Sequence, residues 1–281
     1  RPLYYLIVCS VVNIILDLLL ILVIPLGVLG AAIATLIAQA VSAVLVTVTL
    51  MYRTEGMKLC LSQIRMYKRM LQSILKIGLP AGFEAIMYSI SNIIVQVSIN
   101  NFGVDTMAAW TAYSKIDFIF WMINSAFGIS VMTFVGQNYG AGKWDRIRRG
   151  TKICLGMALI SAVSVSIILM SAERFLFGIF VNDAGVVEIG IRMMNVIAPA
   201  YLLFAFIEVF SGALRAQGAV VVSTLITMVG ICVLRMIWVT LVAAHGTLEQ
   251  VIICYPITWA AGALAMSIYY IYKQRKIFQA R

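Results

Sequence analysis

The sequence predicts an all-α fold, a polytopic membrane bundle of eight transmembrane helices. Three observations carry that reading: composition, the length of the apolar runs and the placement of charge. Of 281 residues, 63% are hydrophobic and 11% charged, against roughly 45–50% and 25% in soluble domains. A soluble chain of this size could not hide so much apolar surface. Nearly uncharged stretches recur over 3–24, 28–51, 74–100, 106–137, 151–172, 188–214, 219–244 and 248–272. Each is near the roughly 20 residues that span a bilayer as a helix. The third and fourth are long enough for tilt or interfacial ends. The alternating decapeptides of a membrane β-barrel are absent.

Charge orders these spans across the membrane. Arg53, Lys58, Arg65, Lys68, Arg69 and Lys76 surround the loop after the second span; Lys143, Arg146, Arg148, Arg149 and Lys152 surround the loop after the fourth. Arg215 and the tail cations Lys273, Arg275, Lys276 and Arg281 fall on the same side. The opposite loops hold Asp105, Glu173, Asp183, Glu188 and Glu249, with Arg174 and Arg192 as their cations. The positive-inside rule makes the basic side cytoplasmic and predicts both ends of this chain, and Cys60, on that side of the cell membrane. The net charge of +10 is then topological, and because it is spread over separate short loops it does not point to nucleic acid.

No catalytic signature appears: the chain has no GxSxG, HExxH, GxGxxG or P-loop pattern. Cys9, Cys60, Cys154, Cys232 and Cys254 show neither CxxC nor metal spacing, and His245 stands alone. The expectation is therefore no enzyme, no metal and no cofactor.

Residues 57–76 read as an amphipathic helix on the cytoplasmic face: Leu61, Ile64, Tyr67, Leu71, Ile74 and Leu75 recur at helical spacing opposite Arg65, Lys68, Arg69 and Gln72. An ordinary solvated basic loop is the alternative. Shifting residues 1–52 by 218 lays them on the last two spans, a faint repeat that sets Asp17 opposite Arg235. Ionisable residues inside spans are costly and mark function or pairing. They are Asp17, Glu84, Lys115, Asp117, Glu208 and Arg235. Asn13 shares a helix face with Asp17. Glu84 follows Pro80, a residue that bends helices and frees a carbonyl. Phe204, Phe206 and Phe210 surround Glu208 in sequence. Four acids against two cations suit the binding and release of a cation or proton; local pairing of Lys115 with Asp117 is the structural alternative.

The run GQNYGAGKWDR, residues 136–146, resembles the signature of the multidrug and toxic compound extrusion (MATE) transporters. NIILDLLLI (13–21), GVLGAAIAT (27–35), KIGLPAGFE (76–84) and GALRAQG (212–218) resemble the family in the same order. The resemblance implies a two-lobe, twelve-helix fold of which this chain holds the last eight helices, with four more expected upstream. Residues 1–52 would then be the last two helices of the N-lobe, 53–73 the interlobe linker and 74–281 the six-helix C-lobe with its basic tail. It implies an antiporter exporting amphipathic or cationic organic compounds in exchange for H⁺ or Na⁺, acting as a monomer among membrane lipids. A lipid-linked precursor flippase of the wider superfamily and a non-transporting subunit or scaffold are the alternatives.

For coupling, Asn13, Asp17 and Thr35 match an N-lobe cation site of some members, although the aspartate that completes it on helix 1 has no counterpart here. In sodium-coupled members the helix 7 glutamate falls further past the proline, at the position of Tyr88, so Glu84 does not simply inherit that role; Glu208, in the lobe interior, is the acid placed to substitute, and both stay candidates for coupling. Trp110, Tyr113, Phe118, Phe120 and Trp121 offer faces to organic cations. Tyr88, Trp110, Tyr113, Asp117 and Trp121 are the candidates for lining the substrate path. Pro80, Gly136, Gln137, Asn138, Gly140 and Gly142 are expected to form hinges, the glycines turning the chain and the amides meeting orphan carbonyls at the helix end.

Overall fold

The computed structural model describes residues 2–52, 58–242 and 246–279; Arg53, His245 and Arg281 lie outside the described residues. Among the described residues all regular structure is helical, and eight helices are long and apolar enough to cross a membrane. They are α1 (Leu3–Val23), α2 (Gly27–Tyr52), α3 (Lys68–Asn100), α4 (Val104–Gly140) and α5 (Trp144–Ser171), then α7 (Ala184–Ala216), α8 (Val220–Val242) and α9 (Leu248–Ile277). A short helix not expected from the sequence, α6 (Glu173–Phe180), lies between α5 and α7.

Two expectations are corrected. Residues 58–67 hold only a 3₁₀ turn, Leu61–Gln63, and 68–76 are the opening turns of α3 rather than part of a separate interfacial helix. Of the apolar residues that suggested an amphipathic helix, Leu71, Ile74 and Leu75 belong to the start of the span, while Leu61, Ile64 and Tyr67 precede it. Lys115 and Asp117 do not pair: Lys115 is exposed, and Asp117 accepts from aromatic donors instead.

The chain divides into two compact units, Arg1–Leu71 and Gln72–Arg281. The first is the α1–α2 hairpin. Tyr5 and Thr49 share a hydroxyl hydrogen bond of 2.7 Å, and Gly30 lies so close to α1 that a β-carbon there would come within 2.9 Å of the Leu20 carbonyl oxygen. The end of α1, Leu19–Val23, is wound as π-helix.

In the second unit α7 is the central helix, packed on α4, α5 and α9. Glycine makes its close approach to α4 possible, as is common where membrane helices associate by packing alone. A β-carbon on Gly212 would sit 2.8 Å from the Gly128 carbonyl oxygen, and one on Gly128 would overlap the Glu208 carboxylate. Pro199 interrupts α7 with a 3₁₀ turn, Ala198–Ala200, where the Ser166 hydroxyl donates to the Ala198 carbonyl at 2.6 Å. Tyr201, the next residue, reaches Tyr113 and Asp117 of α4.

The turn between α4 and α5 is tight. Main-chain N–H groups of Ala141, Gly142 and Lys143 close it on the carbonyls of Gln137, Tyr139 and Asn138 at 3.1, 3.1 and 2.9 Å. Gly142 holds φ +67°, a left-handed conformation that favours glycine. The hinge reading is thus refined. Gly140 is still helical, with open space where a β-carbon would go. The Asn138 amide bonds the Phe134 carbonyl one turn inside α4 at 2.8 Å, so the backbone, not the amides, satisfies the helix end. Gly136 lies where its β-carbon would only touch Ala216 at 3.9 Å. The α7–α8 turn ends the same way, at Gly218 with φ +79°. Pro80 lies inside α3, which continues through it as helix.

Candidate functional site

One face of α3 carries Glu84, Tyr88 and Asn92, a residue per turn. Two cavities open along it within the second unit, and Tyr88 lines both.

The first cavity, about 380 Å³, is walled by α3, α4, α7 and α9. Tyr88, Trp110, Tyr113, Asp117 and Trp121, the five residues expected to line a substrate path, all meet in it. The four on α4, Trp110, Tyr113, Asp117 and Trp121, follow helical spacing along one face. The Asp117 carboxylate is held from two helices. The Trp121 indole donates to Oδ2 at 2.6 Å, and the Tyr201 hydroxyl donates to Oδ1. Tyr201 in turn lies 3.0 Å from the Tyr113 hydroxyl. Phe120 is not a lining residue; it is buried and stacks on Tyr201 at 3.8 Å between ring centroids. Trp259, from α9, packs edge-on against Trp121 and Phe204. An aromatic box with one carboxylate held by two hydrogen bonds results.

The second cavity, about 410 Å³, is more open and is lined by Glu84 and Arg215. Arg215 Nη2 donates to both Glu84 oxygens at 2.6 and 2.7 Å, and the Thr224 hydroxyl donates to Oε2 at 2.8 Å. Arg215 Nε donates to Ser211, which lies 2.9 Å from Ser223. The network ties α3, α7 and α8 together. Glu84 is therefore a paired acid. Glu208 is outside the three salt bridges among the described residues and lies against Gly128 within electrostatic reach of Arg215 and Glu84.

Arg235 differs from the other cations among the described residues. It is fully buried in α8, on a single α-helical turn, Leu234–Ile237, between two π-helical stretches, Met228–Val233 and Trp238–Val242. Its guanidinium carbon lies 4.3 Å from the Tyr255 ring centroid and 5.8 Å from that of Tyr88. Nη1 donates to Asn92 Oδ1 at 3.1 Å, whereas Nε and Nη2 have no hydrogen-bond partner.

The first unit carries Asn13, Asp17 and Thr35. Asn13 Nδ2 and Asp17 Oδ1 are buried atoms without a hydrogen-bond partner. Thr35 is exposed, and its hydroxyl donates to the Ala31 carbonyl of its own helix at 2.9 Å. No hydrogen bond joins the three. Sequence reasoning missed Tyr201, Asn92, Thr224, Tyr255 and the role of Gly128. Pro199, two residues before Tyr201, and a glycine in the middle of the fourth span were the available signals.

These features define a polytopic helical membrane protein with a ligand-sized, aromatic cavity inside one of its units. Within that class the chain belongs to the MatE family, whose model matches residues 80–241, more than half of it. It is 27% identical over 288 residues to the probable multidrug resistance protein YoeA of Bacillus subtilis, covering 98% of this chain and 62% of that protein. It is 25% identical over 247 residues to the multidrug export protein MepA of Staphylococcus saprophyticus, covering 83% and 54%. Its fold is that of a multidrug resistance MATE transporter of the MOP superfamily solved in an outward-facing conformation, with a TM-score of 0.89 at 18% identity over 98% of this chain and 62% of the other. The chain thus spans about half to a little under two thirds of the length of these relatives.

Proposed function

We propose that this chain forms the larger part of a secondary antiporter that exports amphipathic or cationic organic compounds in exchange for H⁺ or Na⁺. The observation that carries the reading is the aromatic box around Asp117. Its volume falls in the range of small-molecule sites, and its ring faces and single carboxylate together attract an organic cation. The names of the relatives agree, both being multidrug resistance or export proteins. In this reading the protein works as a monomer in the cell membrane with both ends of this chain cytoplasmic. No covalent bond is made or broken. Glu208 and Asp17 are the coupling acids, the first because it stands outside the salt bridges and the second because its buried oxygen lacks a partner. Entry of a cation at either changes the charge the surrounding helices accommodate, and so biases one arrangement of them over another.

The test is export from intact cells. The gene, with its upstream region, should let a drug-sensitive host extrude a lipophilic cationic dye. Asp117→Asn and Trp121→Ala should each abolish most of that extrusion at equal membrane abundance. Wild-type extrusion by both variants, or none by the unaltered protein, would sink the reading.

A further inference from the structure

Topology needs only that cations lie on the correct side of the membrane, in loops that water reaches. Three cations at the α4–α5 end of the bundle do more than that. A cavity of about 330 Å³ between α5 and α9 is lined by Arg148, Lys152, Tyr270, Ile271, Gln274 and Arg275, with no acid among them. The three salt bridges of the described residues involve neither Lys152 nor Arg275. Arg148 and Lys152 are one turn apart on α5 and so share a face. Arg146 and Arg149, in the same turns, do not line the cavity.

Depth also sets these cations apart. α5 opens at Trp144, which packs edge-on against Tyr139 at 5.0 Å between centroids. Tryptophan and tyrosine concentrate at the membrane–water boundary. Lys152 lies two turns further along α5, about 12 Å along the helix axis, which carries the cluster into the headgroup layer. Across the cavity, the end of α9 is pinned before any ligand arrives. Lys273 Nζ donates to the Gln217 carbonyl at 3.0 Å, and Gln274 Nε2 donates to Gln217 Oε1 at 3.1 Å. The Tyr270 ring stacks on Phe210 at 4.5 Å between centroids and, with Ile271, gives the cavity an apolar wall. The pinning sorts the cations of α9. Lys273 closes the α7–α8 turn, whereas Arg275 stands exposed at the cavity.

We propose that this cavity seats an anionic phospholipid, its phosphate among Arg148, Lys152 and Arg275 and an acyl chain against Tyr270 and Ile271. Basic pockets between transmembrane helices suit such headgroups, and guanidinium meets phosphate oxygens with paired donors. A zwitterionic lipid fits less well, because its ammonium group would meet only like charge. The assignment needs no transport and stands apart from the exporter reading, which serves only to name the leaflet as cytoplasmic.

The test uses the full-length protein purified in neutral detergent. The probe is phosphatidylglycerol with a fluorophore on one acyl chain, and the matched phosphatidylcholine is the control. Fluorescence anisotropy reads their binding, and the unaltered protein should hold phosphatidylglycerol more tightly. Arg148→Gln, Lys152→Gln and Arg275→Gln should each weaken it about five-fold, the worth of one cation near a membrane surface. Phosphatidylcholine binding should not change. Arg146→Gln and Arg149→Gln remove the same charge outside the cavity and should cost much less. Ile271→Trp fills the cavity without changing charge and should weaken phosphatidylglycerol as well. All four cavity positions replaced are exposed, so the fold should tolerate them. Glycerol phosphate, the headgroup chemistry without a chain, should not displace the lipid at equal concentration. Equal losses from the two sets of cation substitutions would assign the preference to diffuse charge. Displacement by glycerol phosphate would assign the cavity to a soluble phosphate. Either result, or equal binding of the two lipids by the unaltered protein, would overturn the assignment.

Discussion

Two arginines stand beside the same face of α3 and are treated in opposite ways. Arg215 reaches Glu84 with two contacts under 2.8 Å and is supported by Ser211 and Thr224 around it. Arg235, deeper and fully buried, meets aromatic rings and one amide oxygen. The difference separates two uses of a charge inside a membrane. A paired charge holds helices together, and its removal strands its partner. An unpaired one adds little to the fold. The same contrast holds among the acids, with Glu84 paired and Glu208 outside any salt bridge.

The comparison breaks most readily at the paired site. Arg215→Met leaves the Glu84 carboxylate half-buried without its cation, and should lower stability by about 3 kcal/mol, somewhat under the cost of breaking a fully buried pair. Thermal unfolding followed by size-exclusion chromatography in detergent reads this. Adding Glu84→Met should recover most of the loss, and failure to recover would show that the two residues do not act as a pair. The unpaired site should respond less and in the other direction. Arg235→Met removes a buried charge that has no counter-ion, so the melting temperature should hold or rise. A fall as large as that of Arg215→Met would mean that Arg235 is structural after all. The smallest effect belongs to the α4–α5 turn. Gly142→Ala forces a side chain into φ +67° and should cost about 1 kcal/mol, whereas Gly140→Ala, helical with open space beside it, should stabilise by a few tenths to about 1 kcal/mol. Equal shifts would place the turn glycine elsewhere.

The eight spans were legible because apolar length and charge placement are local properties of the chain. The five cavity candidates on α3 and α4 were legible for a related reason, since helical spacing and aromatic content place Trp110, Tyr113, Asp117 and Trp121 on one side. What failed was partnership. Glu84 and Arg215 are 131 residues apart, and in the sequence Arg215 reads as one more cation of a basic loop. Pairing of Lys115 with Asp117 failed on geometry, because residues two apart on a helix do not face each other. Tyr201, just after the 3₁₀ turn at Pro199, meets Asp117 from 84 residues away, a contact between helices that composition does not encode. π-Helix follows Asp17 at Leu19–Val23 but stands on both sides of Arg235, at Met228–Val233 and Trp238–Val242, so the winding does not decide the faint repeat between the first and last hairpins. Such winding depends on the packing of neighbouring helices and leaves no clear mark in residue pattern.

Coupled export is the central claim, and reconstitution tests it most directly. The full-length protein in liposomes should move a cationic dye against its concentration only when a proton or sodium gradient of the correct sign is imposed. The Asp17→Asn, Glu208→Gln double variant should insert and bind dye yet lose the gradient-driven part. Dye accumulation indifferent to both gradients, or full gradient-driven transport by the double variant, would contradict the account.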